Sequence, residues 1–188
     1  MKIAFDSTVL LKAFRHDSGL RVVGDDTDEN ERCARALEDA PMVIVCPIAW
    51  LEVTRFAKAE ELPNIRKLEQ RKRMEPIDDD VVAKAHALMR KRIQKWDVET
   101  CTKCGNSPNA VKCAGCELLL SEKGRFADYL IVAHAESLGA ERLYTLDDRI
   151  INMSDNVTVK LMKPPGIHGP LFDSTPEAPA QKKRRSKP

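Results

Sequence analysis

Residues 126–149, FADYLIVAHAESLGAERLYTLDDR, constrain the fold more than any other stretch of the chain. From Phe126 to Leu138 the residues Tyr129, Leu130, Ile131, Val132, Ala133 and Ala135 fall on nearly every side, the pattern of a helix buried all round. Gly139 stands where a left-handed helix stop is wanted. Arg142 to Leu146 then reads as a short strand bounded by Asp147 and Asp148. Helix and strand each carry an aspartate at a telling point: Asp128 in the first helical turn, Asp147 just past the strand. On local grounds alone, the first is a favourable dipole partner and the second a turn residue.

The remaining chain supplies alternating elements. Lys2 to Phe5 is a short apolar strand ending at Asp6, and Val9 to Phe14 reads as helical. His16 to Asn30 is polar and acidic and reads as a loop. Thr27 or Asp28 is the expected cap of a helix reaching about Asp39. Met42 to Cys46 is a continuous apolar run between prolines, as in a strand buried on both faces. Pro47 suits the first position of the next helix, which runs through IAWLEVTRFAKAE and carries Glu52. A further helix is expected over Asn64 to Arg73. Asp78 caps a long one whose positions Val81, Val82, Ala85, Leu88, Met89, Ile93 and Trp96 keep a 3.6 period. The acidic run 78–80 is first-turn chemistry on this reading. Val157 to Leu161 is a last β-type run. Strands alternating with helices predict an α/β fold with a mainly parallel central sheet.

A chain of 188 residues with 43% hydrophobic residues can bury one full core. The last eight residues, QKKRRSKP, hold five Lys or Arg and no acid, so the net charge of +2 becomes −3 over residues 1–180 once the tail's +5 is removed. A body this close to neutral is not a general polyanion binder, although the tail could hold RNA electrostatically. Asp6 and Lys12 interrupt any apolar N-terminal region, and the longest apolar run, Pro41 to Leu51, is too short to span a bilayer. A soluble cytoplasmic protein with no membrane partner is expected.

In open parallel sheets, sites form outside the carboxyl ends of the strands. Asp6 ends the first strand, Asp147 follows a later one, Glu52 lies shortly after the Met42–Cys46 strand, and Asp128 opens the buried helix. Crowded carboxylates repel unless a cation neutralises them. Hard oxygen ligands suit Mg²⁺ or Mn²⁺, which can acidify a bound water and clamp the oxygens of a phosphodiester.

The segments IAFDST, CPIAWLEVTRF and ADYLIVAHA with LYTLDD resemble the PIN-domain nucleases, particularly the VapC type, over roughly residues 1–162. The resemblance implies a three-layer PIN-like domain and an endoribonuclease using Mg²⁺ or Mn²⁺, with Asp6, Glu52, Asp128 and Asp147 as its acids and a 5′-phosphate and 3′-hydroxyl as products. Asp6 and Asp128 would be ligands of the main cation. Asp147 would complete that site or hold a second metal, and Glu52 would orient or deprotonate the attacking water. Thr8 and Thr145 match accessory positions. Asp148 competes with Asp147, but side chains alternate along an extended segment, so Asp147 shares a face with Thr145 and is preferred. An antitoxin protein and a homodimer are further partners implied by the resemblance.

Cys101, Cys104, Cys113 and Cys116 form C-x2-C-x8-C-x2-C inside an insert at 97–120, spacing that suits a closed, structural Zn²⁺ site. An iron–sulfur centre is the alternative four-cysteine reading. Cys33 and Cys46 read as core residues, and His134 as a core histidine on a different helix face from Asp128. From Lys163 to Pro188, prolines and then charge predict a flexible tail. Beside the nuclease, which covers both a toxin and an RNA-processing version, stands a non-catalytic RNA- or protein-binding module on the same scaffold.

Overall fold

The computed structural model describes residues 1–20, 24, 26–95 and 126–166. Five strands form one sheet: β1 Lys2–Phe5, β2 Met42–Val45, β3 Lys72–Arg73, β4 Arg142–Tyr144 and β5 Lys160–Met162. Their order is β3-β2-β1-β4-β5, and every neighbouring pair is parallel. Ile3, Ala4 and Phe5 of β1, Val43, Ile44 and Val45 of β2, and Leu143 and Tyr144 of β4 are all buried. Burial at consecutive positions, whose side chains point to opposite faces, means that the sheet is covered on both sides.

Among the described residues, seven helices do the covering: α1 Ser7–Asp17, α2 Thr27–Glu38, α3 Pro47–Phe56, α4 Leu62–Arg71, α5 Asp79–Lys95, α6 Phe126–Ser137 and the short α7 Asp148–Ile151. α1 packs against α2, α3 and α4, and α5 against α6. The chain steps one way from β1 to β2 and β3, then the other way to β4. Right-handed crossovers therefore place these two helix groups on opposite faces.

α6 is the most deeply buried helix by sequence run, with every residue from Tyr129 to Ala135 inside. Gly139 terminates it at φ +66. The Ala140 N–H donates to Ala135 O at 2.9 Å and the Gly139 N–H to Glu136 O at 2.9 Å, which satisfies the last helical carbonyls. Lys2 Nζ donates to Leu138 O at 2.9 Å, so the start of β1 is tied to the end of α6.

Several local expectations shift. Asp26 caps α2, not Thr27 or Asp28, because its side chain accepts the N–H groups of both Asp28 and Glu29. α3 stops at Phe56: Ala57 is extended at ψ 141 and residues 59–61 form a separate 3₁₀ turn, closed by the Lys58 N–H donating to Glu61 Oε2 at 2.6 Å. β4 ends at Tyr144, two residues short of Leu146, and β5 begins at Lys160 after a 3₁₀ turn over Ser154–Asn156. β3 had no sequence signal, since a two-residue Lys-Arg edge strand shows no apolar alternation. Asp78 does cap α5, accepting the Val81 N–H at 2.9 Å. The cysteine insert at 97–120 and the tail beyond residue 166 lie outside the described residues.

Candidate active site

The sheet order reverses between β1 and β4, and ligands of open parallel sheets bind at the carboxyl ends of the strands at such a reversal. Register brings Phe5 level with Val45 on one side and Tyr144 on the other. The residues that follow, Asp6, Cys46 and Thr145, therefore line one edge.

Asp6 is the centre of this edge and only 3% exposed. Its backbone N–H continues the β-ladder to Tyr144 O at 3.0 Å, while its side chain caps α1 through the Ser7 N–H at 2.7 Å from Oδ1. Oδ2 accepts two hydroxyls, Thr8 Oγ1 at 2.8 Å and Thr145 Oγ1 at 2.9 Å. Each hydroxyl is itself oriented by a backbone donor: the Leu146 N–H reaches Thr8 Oγ1 at 3.2 Å, and the Asp147 N–H reaches Thr145 Oγ1 at 3.0 Å. A hydroxyl that accepts a backbone N–H turns its single proton toward the remaining acceptor. Both protons thus point at Asp6, and two such hydrogen bonds fix the orientation of its carboxylate.

Ser7 links this centre to a second acid, Glu52. Its Oγ lies 2.6 Å from Glu52 Oε2 and 3.4 Å from Asp6 Oδ1. With one proton to donate, the shorter contact takes it, so Ser7 donates to Glu52 and fixes that carboxylate beside Asp6. Ser7 did not stand out in the sequence, where a serine after a strand reads as turn chemistry; the available signal was its place between an aspartate and a helix start.

Asp147 sits on the other side of Thr145 as the cap of α7, and its Oδ1 accepts the Arg149 N–H at 2.8 Å. The Arg149 side chain closes on the same carboxylate. Nε reaches Oδ1 and Oδ2 at 2.8 Å each, and Nη2 donates to Oδ2. The hydrogen bond to Asp147 is the largest reason that the Arg149 guanidinium is held above its ordinary pKa, and the charges of Asp128 and Asp6 add to it. Arg149 therefore lies within electrostatic reach of three of the four acids, and it was not identified from the sequence. Asp128, half-buried in the first turn of α6, meets the others through that field. Asp148 turns away, 74% exposed and paired with Lys163 at 2.9 Å.

The structure thus joins Asp6 to Glu52 through Ser7 and to Asp147 through Thr145. The oxygen donors on this edge, carboxylates and hydroxyls, fit a hard divalent cation. The spacing does not close round one: among the described residues, no three His, Cys, Asp or Glu side chains are grouped so as to hold a metal ion. Both oxygens of Asp147 are instead engaged by Arg149. Cys101, Cys104, Cys113 and Cys116 fall outside the described residues.

The three residues expected in the core lie inside. Burial pushes the Cys46 thiol up to about 11 and the Cys33 thiol up to about 12, so neither is a nucleophile near neutrality. His134 is 1% exposed, with Nε2 3.0 Å from Glu75 O, and burial holds its pKa below the usual value. Among the described residues, no helix is long and apolar enough to cross a membrane.

Comparison with known proteins gives the family. Two solved structures are similar in outline. VapC20 from Mycobacterium tuberculosis, a sarcin–ricin loop cleaving toxin, is 14% identical, with 84% of this chain and 98% of that one covered at a TM-score of 0.49. VapBC2 from Rickettsia felis, bound to a DNA fragment from its promoter, is 11% identical, with 86% and 97% covered at 0.49. No curated protein matches significantly. The model of the PIN domain matches residues 3–156, which take in β1 through the 3₁₀ turn before β5. The chain belongs to the PIN domain family.

Proposed function

We propose that this chain is a Mg²⁺- or Mn²⁺-dependent endoribonuclease whose site is the acidic edge formed by Asp6, Glu52, Asp128 and Asp147. The observation that supports it best is Asp6: a carboxylate 3% exposed at the sheet's reversal point, held by one N–H and two oriented hydroxyls. A lone turn residue needs no such cradle. Asp6, Asp128 and Asp147 are the residues that would hold the cation, which supplies charge neutralisation and an acidified water when bound. Glu52, oriented by the Ser7 hydroxyl, takes the proton of the attacking water. Thr8 and Thr145 hold the Asp6 carboxylate in place, so the site does not reorganise when charge develops on the phosphate.

The same reading covers a toxin restrained by an antitoxin and an RNA-processing nuclease. The cysteine spacing and the basic end, QKKRRSKP, exceed what the catalytic edge requires and favour the second version, with zinc at Cys101, Cys104, Cys113 and Cys116 shaping substrate choice. The test compares Mn²⁺-dependent cleavage of RNA by the protein and by Asp128→Asn, with and without chelator. Loss of cleavage in the variant and in chelator is expected; equal cleavage by both proteins overturns the nuclease. Growth arrest on expression, relieved by an adjacent gene product, separates the toxin from the processing enzyme.

A further inference from the structure

Asp147 is asked to serve two cations. In the proposed site it contributes oxygen to a divalent ion, yet both of its oxygens are taken by one residue of the same chain. Oδ1 accepts the Arg149 backbone N–H and Nε, each at 2.8 Å; Oδ2 accepts Nε at 2.8 Å and also Nη2. The carboxylate is the less exposed partner, 15% against 51% for the arginine. The guanidinium is thus the more solvent-exposed partner of the pair. Its planar fork matches a carboxylate in two places at once, as an ammonium cannot. Thr145 fixes the other end of the arrangement, because its Oγ1 accepts the Asp147 N–H and donates to the buried Asp6. Asp147 is thus anchored by its backbone next to Asp6, while its side chain is engaged by an arginine two residues on.

We propose that Arg149 is an intrinsic competitor for the divalent cation, occupying Asp147 until the ion displaces it, and so sets the metal concentration at which the site assembles. This rests on the proposed acidic site but concerns its regulation. A bidentate guanidinium and a divalent ion draw on the same lone pairs, so the first must leave before the second can enter. The backbone N–H of Arg149 stays on Oδ1 throughout, which keeps α7 capped during the exchange. The device makes the site responsive to cation concentration instead of permanently loaded.

The experiment is a calorimetric titration of the full chain with Mn²⁺ alone, checked by the electron paramagnetic resonance of free Mn²⁺, and needs no turnover. Arg149→Gln is expected to bind Mn²⁺ about threefold to fivefold more tightly, the gain that follows from removing a half-exposed ion-pair competitor. Arg149→Lys keeps the charge but loses the fork, and its affinity should fall between the two. Removing any nearby positive charge would also favour Mn²⁺, so Arg149→Gln is repeated in an Asp147→Asn background. There the gain should vanish if the arginine acts through Asp147. An unchanged or weaker affinity in Arg149→Gln, or the same gain in both backgrounds, overturns the competition. Absence of Mn²⁺ binding in wild type and variant alike overturns it together with the metal-dependent reading. Wild-type RNA cleavage with no change in Arg149→Gln affinity sinks the competitor and leaves the nuclease. Tighter Mn²⁺ binding without cleavage does the reverse.

Discussion

The two halves of the acidic edge are built differently. On the β1 side, Asp6 is 3% exposed and every contact it makes comes from backbone or from short, β-proximal side chains. On the β4 side, Asp147 is bound by a long, half-exposed arginine. Short hydroxyl side chains lose little conformational freedom when they bond, whereas a long arginine loses much and stays screened by water. The first half is preorganised and the second exchangeable. A site with one rigid and one yielding acid can fix a geometry and still admit a charged ligand.

The sharpest way to break this contrast is at Asp6. Asp6→Asn is expected to reduce Mn²⁺-dependent RNA cleavage on the order of a thousandfold, as loss of a positioned acid or metal ligand does. Asp148→Asn, on the residue that faces Lys163, should leave it unchanged. Comparable losses in both variants would show that the buried carboxylate has no special standing.

Thr145→Val tests whether the hydroxyls matter by their bonds or only by their shape. Thr145 is fully buried, and the substitution leaves the Asp147 N–H without its acceptor and Asp6 with one donor fewer. A loss of about 1–3 kcal/mol in urea unfolding is expected, the cost of an unmade buried hydrogen bond. A variant as stable as wild type would count against preorganisation.

His134 extends the buried side of the comparison to the far end of α6. Its pKa is lowered by burial, so the folded state keeps it neutral while the unfolded chain binds a proton below about 6.5. The unfolded state then carries more protons, and stability falls as pH drops below that value, by up to about 1.4 kcal/mol per pH unit for one group. Above it the contribution is constant. Urea midpoints for wild type and His134→Gln should therefore converge between pH 7 and pH 5; parallel curves would remove His134 as the cause.

The smallest effect is expected on the exposed side. Arg149→Gln should change unfolding free energy by less than about 1 kcal/mol, because half-exposed ion pairs contribute little to the fold. A larger loss would mean that the arginine is structural, and the contrast between the two halves would narrow.

Much of this was legible in the chain. The all-round apolar run in 126–138, the stop at Gly139 and the apolar MVIV segment specify buried elements by local pattern, because burial on every side leaves no room for polar residues. The preference for Asp147 over Asp148 assumed alternation along an extended segment, but β4 ends at Tyr144 and Asp147 caps α7, with its N–H on Thr145 while Asp148 pairs with Lys163. β3 was hidden because a two-residue edge strand is chosen by its neighbour β2 and not by its own residues.

The sequence by itself determined which residues are buried and which acids fall at element ends, since both depend on spacing along one chain. Only the tertiary structure decided who holds whom. Thr145 reaches Asp6 across 139 positions and Ser7 reaches Glu52 across 45, and no local pattern encodes a hydrogen bond between residues so far apart. Arg149 is close in sequence to Asp147, but its closure on that carboxylate required the turn from β4 into α7, where an extended Asp147 at φ −82 and ψ 107 presents both oxygens to the residue two places on.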